Sequence, residues 1–584
     1  MLRFLSVIFL ALAPMALVHA QDPGSRLQSF FDAQWERSMR QSPESASYRG
    51  DARFNDRWSD MGIEAIEARQ KADRDALVQL RGIDRSALKP AEQLNYDVFL
   101  WQLEGSVERQ KYFEYLRPIS QRGGIQNQEG IAEVLPFKTV QDYRDWLARL
   151  RGIPVLVDQN IALLQAGATA GNTPPRVLMQ RVPAQIKAQL VDDPTASPFY
   201  RPLTRIPETI PLNERNRLQA EARQIISGQV VPAYRKLSAY FVDEYLPGTR
   251  ETIAAADMPD GRAYYDFLAA QFTTTNLSAD QIHGIGLKEV ARIRGEMEKV
   301  RKEVGFNGDL AQFFQYLRSD PKFYYQTPEA LLEAYQAMSK RIDPELVKVF
   351  RTIPRLPYGV RAIPDNIAPD TTTAYYQPGA VDGSRAGYYY VNLYKPEVRP
   401  KWEMMALSLH EAMPGHHFQF ARAQELPEAP LFRRVGYFTS YGEGWALYAE
   451  SLGYEMGLYD DPYDRMGQLA YDMWRAVRLV VDTGIHSKGW SRQQAIDYFM
   501  ANAPKTEQDV VNEIDRYIGW PGQALAYKIG QLRILELRAR AERELGAGFD
   551  LRDFNDAVLE TGSVPLEALE KHIDTWIKDR KAKT

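Results

Sequence analysis

Not one of the 584 residues is a cysteine, so no disulfide can staple this fold and no thiolate can hold a metal in it. A chain of this length must then be stabilised by packing, and any metal it binds must sit on histidine and carboxylate donors. The same absence removes a cysteine nucleophile and a lipid-modified N-terminal cysteine. The length exceeds what one compact core usually encloses, which fits either one large helical unit with an added lobe or two separate domains.

Residues 1–20, MLRFLSVIFLALAPMALVHA, read as a secretory signal: Arg3 is the only charge, Phe4 to Leu17 is apolar, and Val18-His19-Ala20 ends on a small residue. The apolar run is shorter than the ~20 residues of a bilayer span, and Gln21-Asp22-Pro23 follows at once. Export with cleavage after Ala20 is expected, to the periplasm or the medium, with no stable membrane span afterwards. Cleavage removes one of the 72 basic residues and none of the 76 acidic ones, so no basic excess points to nucleic acid. The sequence sets no oligomeric state.

Helical spacing prevails, and the expected class is mainly α. Residues 21–246 read as an N-terminal helical lobe and 247–584 as the region carrying the chemistry, with one continuous domain as the alternative. Ser278 and Gln281 form a capping box, with Leu277 and Ile282 as its staple, and Thr327-Pro328 marks another helix start. The stretch 387–394, GYYYVNLY, is the best strand candidate. After it, Trp402, Met405, Ala406 and Leu409 make one apolar helix stripe that runs into a histidine cluster.

Four of the seven histidines, His410, His416, His417 and His486, fall within 77 residues. A zinc helix spaces two histidines at i and i+4, with a glutamate after the first aimed at the metal-bound water. Here the segment reads His410-Glu411-Ala412-Met413-Pro414-Gly415-His416-His417, so position i+4 is a proline. In a regular helix the offsets i+6 and i+7 separate the rings by about 9–10 Å along the axis, too far for one ion. The helix must be distorted between them, and Pro-Gly is suited to that, since proline breaks the backbone ladder and glycine tolerates unusual dihedrals. Removing two residues restores i, i+4 for His410 and His416, with His417 as the alternative second ligand. Glu443, 27 residues beyond His416 and after a proline-rich turn (Leu426-Pro427-Glu428-Ala429-Pro430), is the expected third ligand. Glu450, two helical turns further, is placed to orient a ligating histidine. The competing reading is a helix ended by Pro-Gly, with purely structural histidines.

The motifs HEAMPGHHFQ, EGWALYAE, RLVVDTGIHSKGW and YIGWPGQALAYKIG resemble signatures of the bacterial "domain of unknown function 885" family over essentially the whole mature chain. That resemblance points onward to the gluzincin zinc metallopeptidases, in particular the helical carboxypeptidase Taq and oligopeptidase folds. It implies a large helical fold with a deep substrate channel, to which the strand candidate at 387–394 adds the expectation of a small β-sheet beside the active-site helix. It also implies one zinc ion on His410, His416 and Glu443, Glu411 as general base and a peptide substrate. The two-residue expansion between the histidines departs from the usual motif.

For the remaining groups the expectations are specific. His486 and Tyr527 are candidate donors to the oxyanion of a tetrahedral intermediate. Tyr390 to Asn392 could pair an extended peptide along a strand edge, with an interior strand as the alternative. Arg475 and Arg478 could clamp a substrate carboxylate, or pair with nearby acids. His283, on its capped helix, reads as structural. The expected activity is thus that of an exported zinc peptidase. The alternatives are a non-catalytic metal- or peptide-binding protein, against which Glu411 argues, and a hydrolase of non-peptide amides, which would use the same atoms.

Overall fold

Helix-start chemistry in the sequence appears where it was expected. In this computed structural model, which describes residues 22–365, 368–370, 372–381, 383, 385–426 and 429–582, the chain is mainly helical with one small sheet. The leader at residues 1–20, and Pro427 and Glu428 of the expected turn, lie outside the described residues. Helix α1 (Val140–Thr169) opens on a Thr139–Asp142 capping box and α2 (Ala279–Glu303) on the Ser278–Gln281 box. In the latter, Gln281 N–H donates to Ser278 Oγ at 3.2 Å and Ser278 N–H donates to Gln281 Oε1 at 2.9 Å, satisfying two backbone donors the helix start would leave bare. Leu277 and Ile282 pack into one cluster, as a staple requires. Helix α3 (Pro328–Ile342) begins with proline at its first position, and Thr327 caps it by accepting from the Ala330 amide.

Strands β1 (Tyr358–Ala362), β2 (Ala374–Gln377) and β3 (Gly387–Val391) form one sheet in the order β1-β3-β2. β1 runs parallel to β3, with Tyr358 opposite Gly387, and β2 runs antiparallel to it, with Ala374 opposite Val391. The expected strand at 387–394 therefore exists but stops at Val391, and it lies in the middle of the sheet. On the face away from the core, Tyr375 and the directly opposed Tyr390 stack with centroids 4.9 Å apart.

Six further helices surround the histidine motif: α4 (Met404–Glu411), α5 (His416–Gln424), α6 (Thr439–Met456), α7 (Pro462–Lys488), α8 (Glu507–Gly519) and α9 (Ala526–Leu545). The four residues of the expected apolar stripe are buried, but so is every residue of α4, which is enclosed on all sides. Helix α7 is buried without a break from Met466 to His486 and packs along α2. One of its buried acids is paired as burial demands: Asp472 accepts from Lys528 of α9 at 2.6 Å and from Arg292 of α2 at 3.0 Å, and Glu289 of α2 meets the same lysine at 2.9 Å. α6 and α9 cross with backbones in contact at Gly444 and Gly530. A Cβ on Gly530 would stand 1.8 Å from the Ser440 carbonyl oxygen. The largest apolar cluster takes Trp146 and Tyr234 from one side of position 246 and Val477 and Ile514 from the other. Among the described residues no helix is long and apolar enough to cross a membrane.

Candidate metal centre

The distortion expected between the histidines is a complete break. α4 ends at Glu411, residues 412–415 turn, and α5 starts on His416 itself. Gly415 makes this turn possible, because a Cβ there would lie 1.9 Å from the His410 carbonyl oxygen. Only a residue without a side chain can bring the backbone that close. The Pro414 carbonyl accepts a hydrogen bond from Trp445 Nε1 of α6 at 2.8 Å, which pins the turn to the next helix. As a result the two imidazoles meet, with ring centroids 4.8 Å apart and planes at 85°.

Glu443, one turn into α6, completes the group. Its Oε2 is 3.4 Å from His416 Nε2 and 3.6 Å from His410 Nε2, and one ligand atom from each residue lies within 4.8 Å of the others. Glu443 Oε2 is buried and has no hydrogen-bond partner among the described residues. Glu450 Oε1, two turns along the same helix, is 2.8 Å from His410 Nδ1. A carboxylate accepts there, so Nδ1 carries a proton and Nε2 is the nitrogen that faces Glu443 and His416. Burial alone would lower the His410 pKa, but the Glu443 and Glu450 carboxylates outweigh it and hold the ring up at about 9. The pocket thus favours positive charge.

His417, the alternative ligand, is turned away. Its Nε2 donates to the Leu356 carbonyl at 3.0 Å and its Nδ1 accepts from the Tyr376 hydroxyl at 2.9 Å, while burial pushes its pKa down to about 4. It ties α5 to β2 and to the chain leading into β1. Glu411, 9% exposed, opens on a cavity of ≈ 330 Å³ shared with His410, His416 and Glu443, and its carboxylate has no hydrogen-bond partner among the described residues. Residues 372–376 border the same cavity. Side chains of a strand alternate between faces, so a run of consecutive residues lining one space means that β2 presents its unpaired edge to it.

Of the other expected residues, Tyr527, Arg475 and Arg478 line this cavity. Tyr527 accepts from Arg516 Nη2 at 3.1 Å, which leaves its own O–H free to donate. His486 does not belong to the site. It lies outside the cavity lining, its Nε2 donates to the Tyr517 carbonyl at 2.9 Å and its Nδ1 accepts from the Ala255 amide at 2.9 Å, so both ring nitrogens are committed to backbone. The strand-edge role of Tyr390 and Asn392 also falls, because β3 is paired on both sides. Asn392 Nδ2 instead donates to the Ala368 and Thr372 carbonyls at 2.8 and 3.2 Å, holding the segment before β2. His283 bonds Thr483 Oγ1 through Nδ1 at 2.8 Å, a packing contact between α2 and α7.

Several cavity residues gave no sequence signal. Tyr437, in the loop before α6, stacks on Phe420 with centroids 5.5 Å apart, and Arg122, Glu513 and Arg516 arrive from segments remote from the histidine motif. Burial would raise the Glu513 carboxyl, but Arg516 and Arg478 outweigh it and hold it at about 2.

A bacterial family described as "Bacterial protein of unknown function (DUF885)" matches residues 43–573. Among solved structures, a protein described as a "putative lipoprotein" from Colwellia psychrerythraea is 29% identical, with a TM-score of 0.89 over 96% of this chain and 100% of that one. A second, described as a "putative lipoprotein of unknown function" from Shewanella oneidensis, is 18% identical, with a TM-score of 0.72 over 93% and 99% of the two chains, a likeness of fold. No curated protein matches the chain. None of these descriptions names a reaction.

Proposed function

The chain belongs to that bacterial family of unknown function, DUF885, and from the chemistry of its own site we propose that it is an exported zinc-dependent peptidase acting on short peptides. The observation that carries the reading is the convergence of His410 Nε2, His416 Nε2 and the unpartnered Glu443 Oε2 beside an open glutamate. Tetrahedral zinc with bonds of ~2.0–2.1 Å spaces its donor atoms about 3.4 Å apart. The separations of 3.4 and 3.6 Å match that spacing and are too long for good hydrogen bonds. Two imidazoles and one carboxylate leave a fourth position open, the pattern of a catalytic rather than a structural site. Support for export comes from the leader-like residues 1–20 and from the lipoprotein descriptions of the structural neighbours. The kinship with gluzincin peptidases rests on the motifs and this geometry alone.

When bound, zinc supplies Lewis acidity, polarising the substrate carbonyl and acidifying water. The chain's own residues do the rest. Glu450 fixes the His410 tautomer. Glu411 takes the proton of the attacking water as its oxygen bonds to the carbonyl carbon, then passes that proton to the amine as the C–N bond breaks. Tyr527 lines the same cavity, and its hydroxyl is the donor to the developing oxyanion in this reading. The edge of β2 offers backbone groups to an extended peptide.

The test is metal analysis beside peptide hydrolysis by wild type and Glu411→Gln. About one zinc per chain is expected in both proteins, with turnover falling at least ~10³-fold in the variant. Absence of bound zinc, or unchanged turnover in Glu411→Gln, removes the reading.

A further inference from the structure

Four arginines, Arg122, Arg475, Arg478 and Arg516, line the cavity that holds the histidines and Glu411. From them we infer that the pocket binds the terminal carboxylate of a peptide, so that the protein cuts short peptides close to a free C-terminus; this rests on the hydrolase reading above.

Three observations support it. The first is unmet hydrogen-bonding capacity. Arg475 and Arg478 are 5% and 3% exposed, yet Arg475 Nε, Arg478 Nη1 and Arg516 Nε are buried without a partner among the described residues. A buried guanidinium left partly unpaired is costly, and a ligand carboxylate is the group whose two oxygens match its fork.

The second is charge. Among the described residues the carboxylates meeting these arginines are Glu450, 3.5 Å from Arg475, and Glu513, 3.0 Å from Arg478 and 3.6 Å from Arg516. Glu450 is already engaged with His410, and the exposed Arg122 has no ion-pair partner among the described residues. The wall therefore carries more positive than negative charge, and an anion completes it.

The third is placement. Arg478 is held rigid, its Nε donating to the Tyr517 hydroxyl at 2.9 Å and its guanidinium lying 4.4 Å from the Tyr527 ring and 4.9 Å from that of Trp474. Arg475 is separated from His410 only by the Glu450 carboxylate. The arginines, Glu411 and both histidines line one cavity of ≈ 330 Å³, so a carboxylate held by this wall brings a peptide bond near the C-terminus to Glu411.

The experiment compares the zinc-loaded protein on an N-acetylated tripeptide with a free C-terminus and on its C-terminal amide. Cleavage of the acid with kcat/KM at least about 100-fold above that of the amide is expected. Arg478→Gln, and Arg122→Gln as a surface change that spares the core, should raise KM for the acid at least about 10-fold while zinc content stays unchanged. Equal cleavage of acid and amide overturns the carboxylate pocket and leaves the hydrolase reading standing. If neither peptide is cut, the hydrolase reading fails, and calorimetry on Glu411→Gln decides the pocket separately. Preference for the acid upholds anion recognition there, and equal binding of both, or displacement by inorganic phosphate alone, overturns it.

Discussion

Glu450 and His410 are joined by a 2.8 Å hydrogen bond between helices α6 and α4, and with Nδ1 engaged there it is Nε2 that faces Glu443 and His416. Such an outer carboxylate typically contributes 10–100-fold to metal affinity. Glu450→Gln should therefore weaken zinc binding by about that factor, measured by competition with a chromogenic chelator, while far-ultraviolet circular dichroism is unchanged. Undiminished affinity would show that the ring is oriented by packing alone.

Gly415 should be intolerant of even one methyl group. With the built Cβ 1.9 Å from the His410 carbonyl, Gly415→Ala forces the turn open and separates the histidines. Loss of stoichiometric zinc and a thermal midpoint lower by several degrees are expected, a destabilisation of about 2–4 kcal/mol. Gly228→Ala is the control: beyond its own helix backbone and chain neighbours nothing lies within 4 Å of its Cβ, and its backbone is helical, so stability should stay level or rise by up to about 1 kcal/mol.

His486 should matter for stability in acid and little for turnover. Burial pushes its pKa down to about 4, whereas the unfolded chain protonates near 6.5. Between those values the unfolded state binds more protons, so this group's contribution is complete above pH 6.5 and is lost as pH falls to 4. Urea midpoints of His486→Gln should show a shallower decline over that window than wild type, with kcat within about threefold of wild type at neutral pH. A collapse of kcat with stability intact would return the residue to the site.

Asp482 acts in the opposite sense. Burial raises its pKa to about 7, although it accepts from the Tyr265 hydroxyl at 2.7 Å and the Gly522 amide at 3.1 Å. From pH 4 to 7 the unfolded chain has already released this proton and the folded one has not, so stability falls as pH rises through the window. Asp482→Asn should gain stability relative to wild type across it, by roughly 2–4 kcal/mol at pH 7.5. A constant difference from pH 4 to 8 would refute a neutral Asp482.

The sequence made the helix caps at Ser278 and Thr327, the strand at Gly387 and the grouping of His410, His416 and Glu443 legible, because each depends on chemistry within one or two turns or on ligand types that zinc restricts. It could not make legible what tertiary contact alone decides. Nothing local distinguishes a β3 flanked on both sides from one at an edge, which misled the reading of Tyr390 and Asn392. His486 lies in a motif that looks functional, but its partners Ala255 and Tyr517 are remote in sequence, and only packing reveals that they consume both nitrogens. Arg122 and Arg516 are some 400 residues apart, so their meeting has no periodic trace.

A strand with bare backbone groups on the outside of a protein invites other folded molecules to add to its sheet. The free margin of β2 is instead sunk in a recess between tyrosines and arginines. A neighbour's intact sheet cannot dock there, whereas a short, unstructured segment can thread in. Conformation would thus be screened before sequence, and loosely structured chains admitted over native ones.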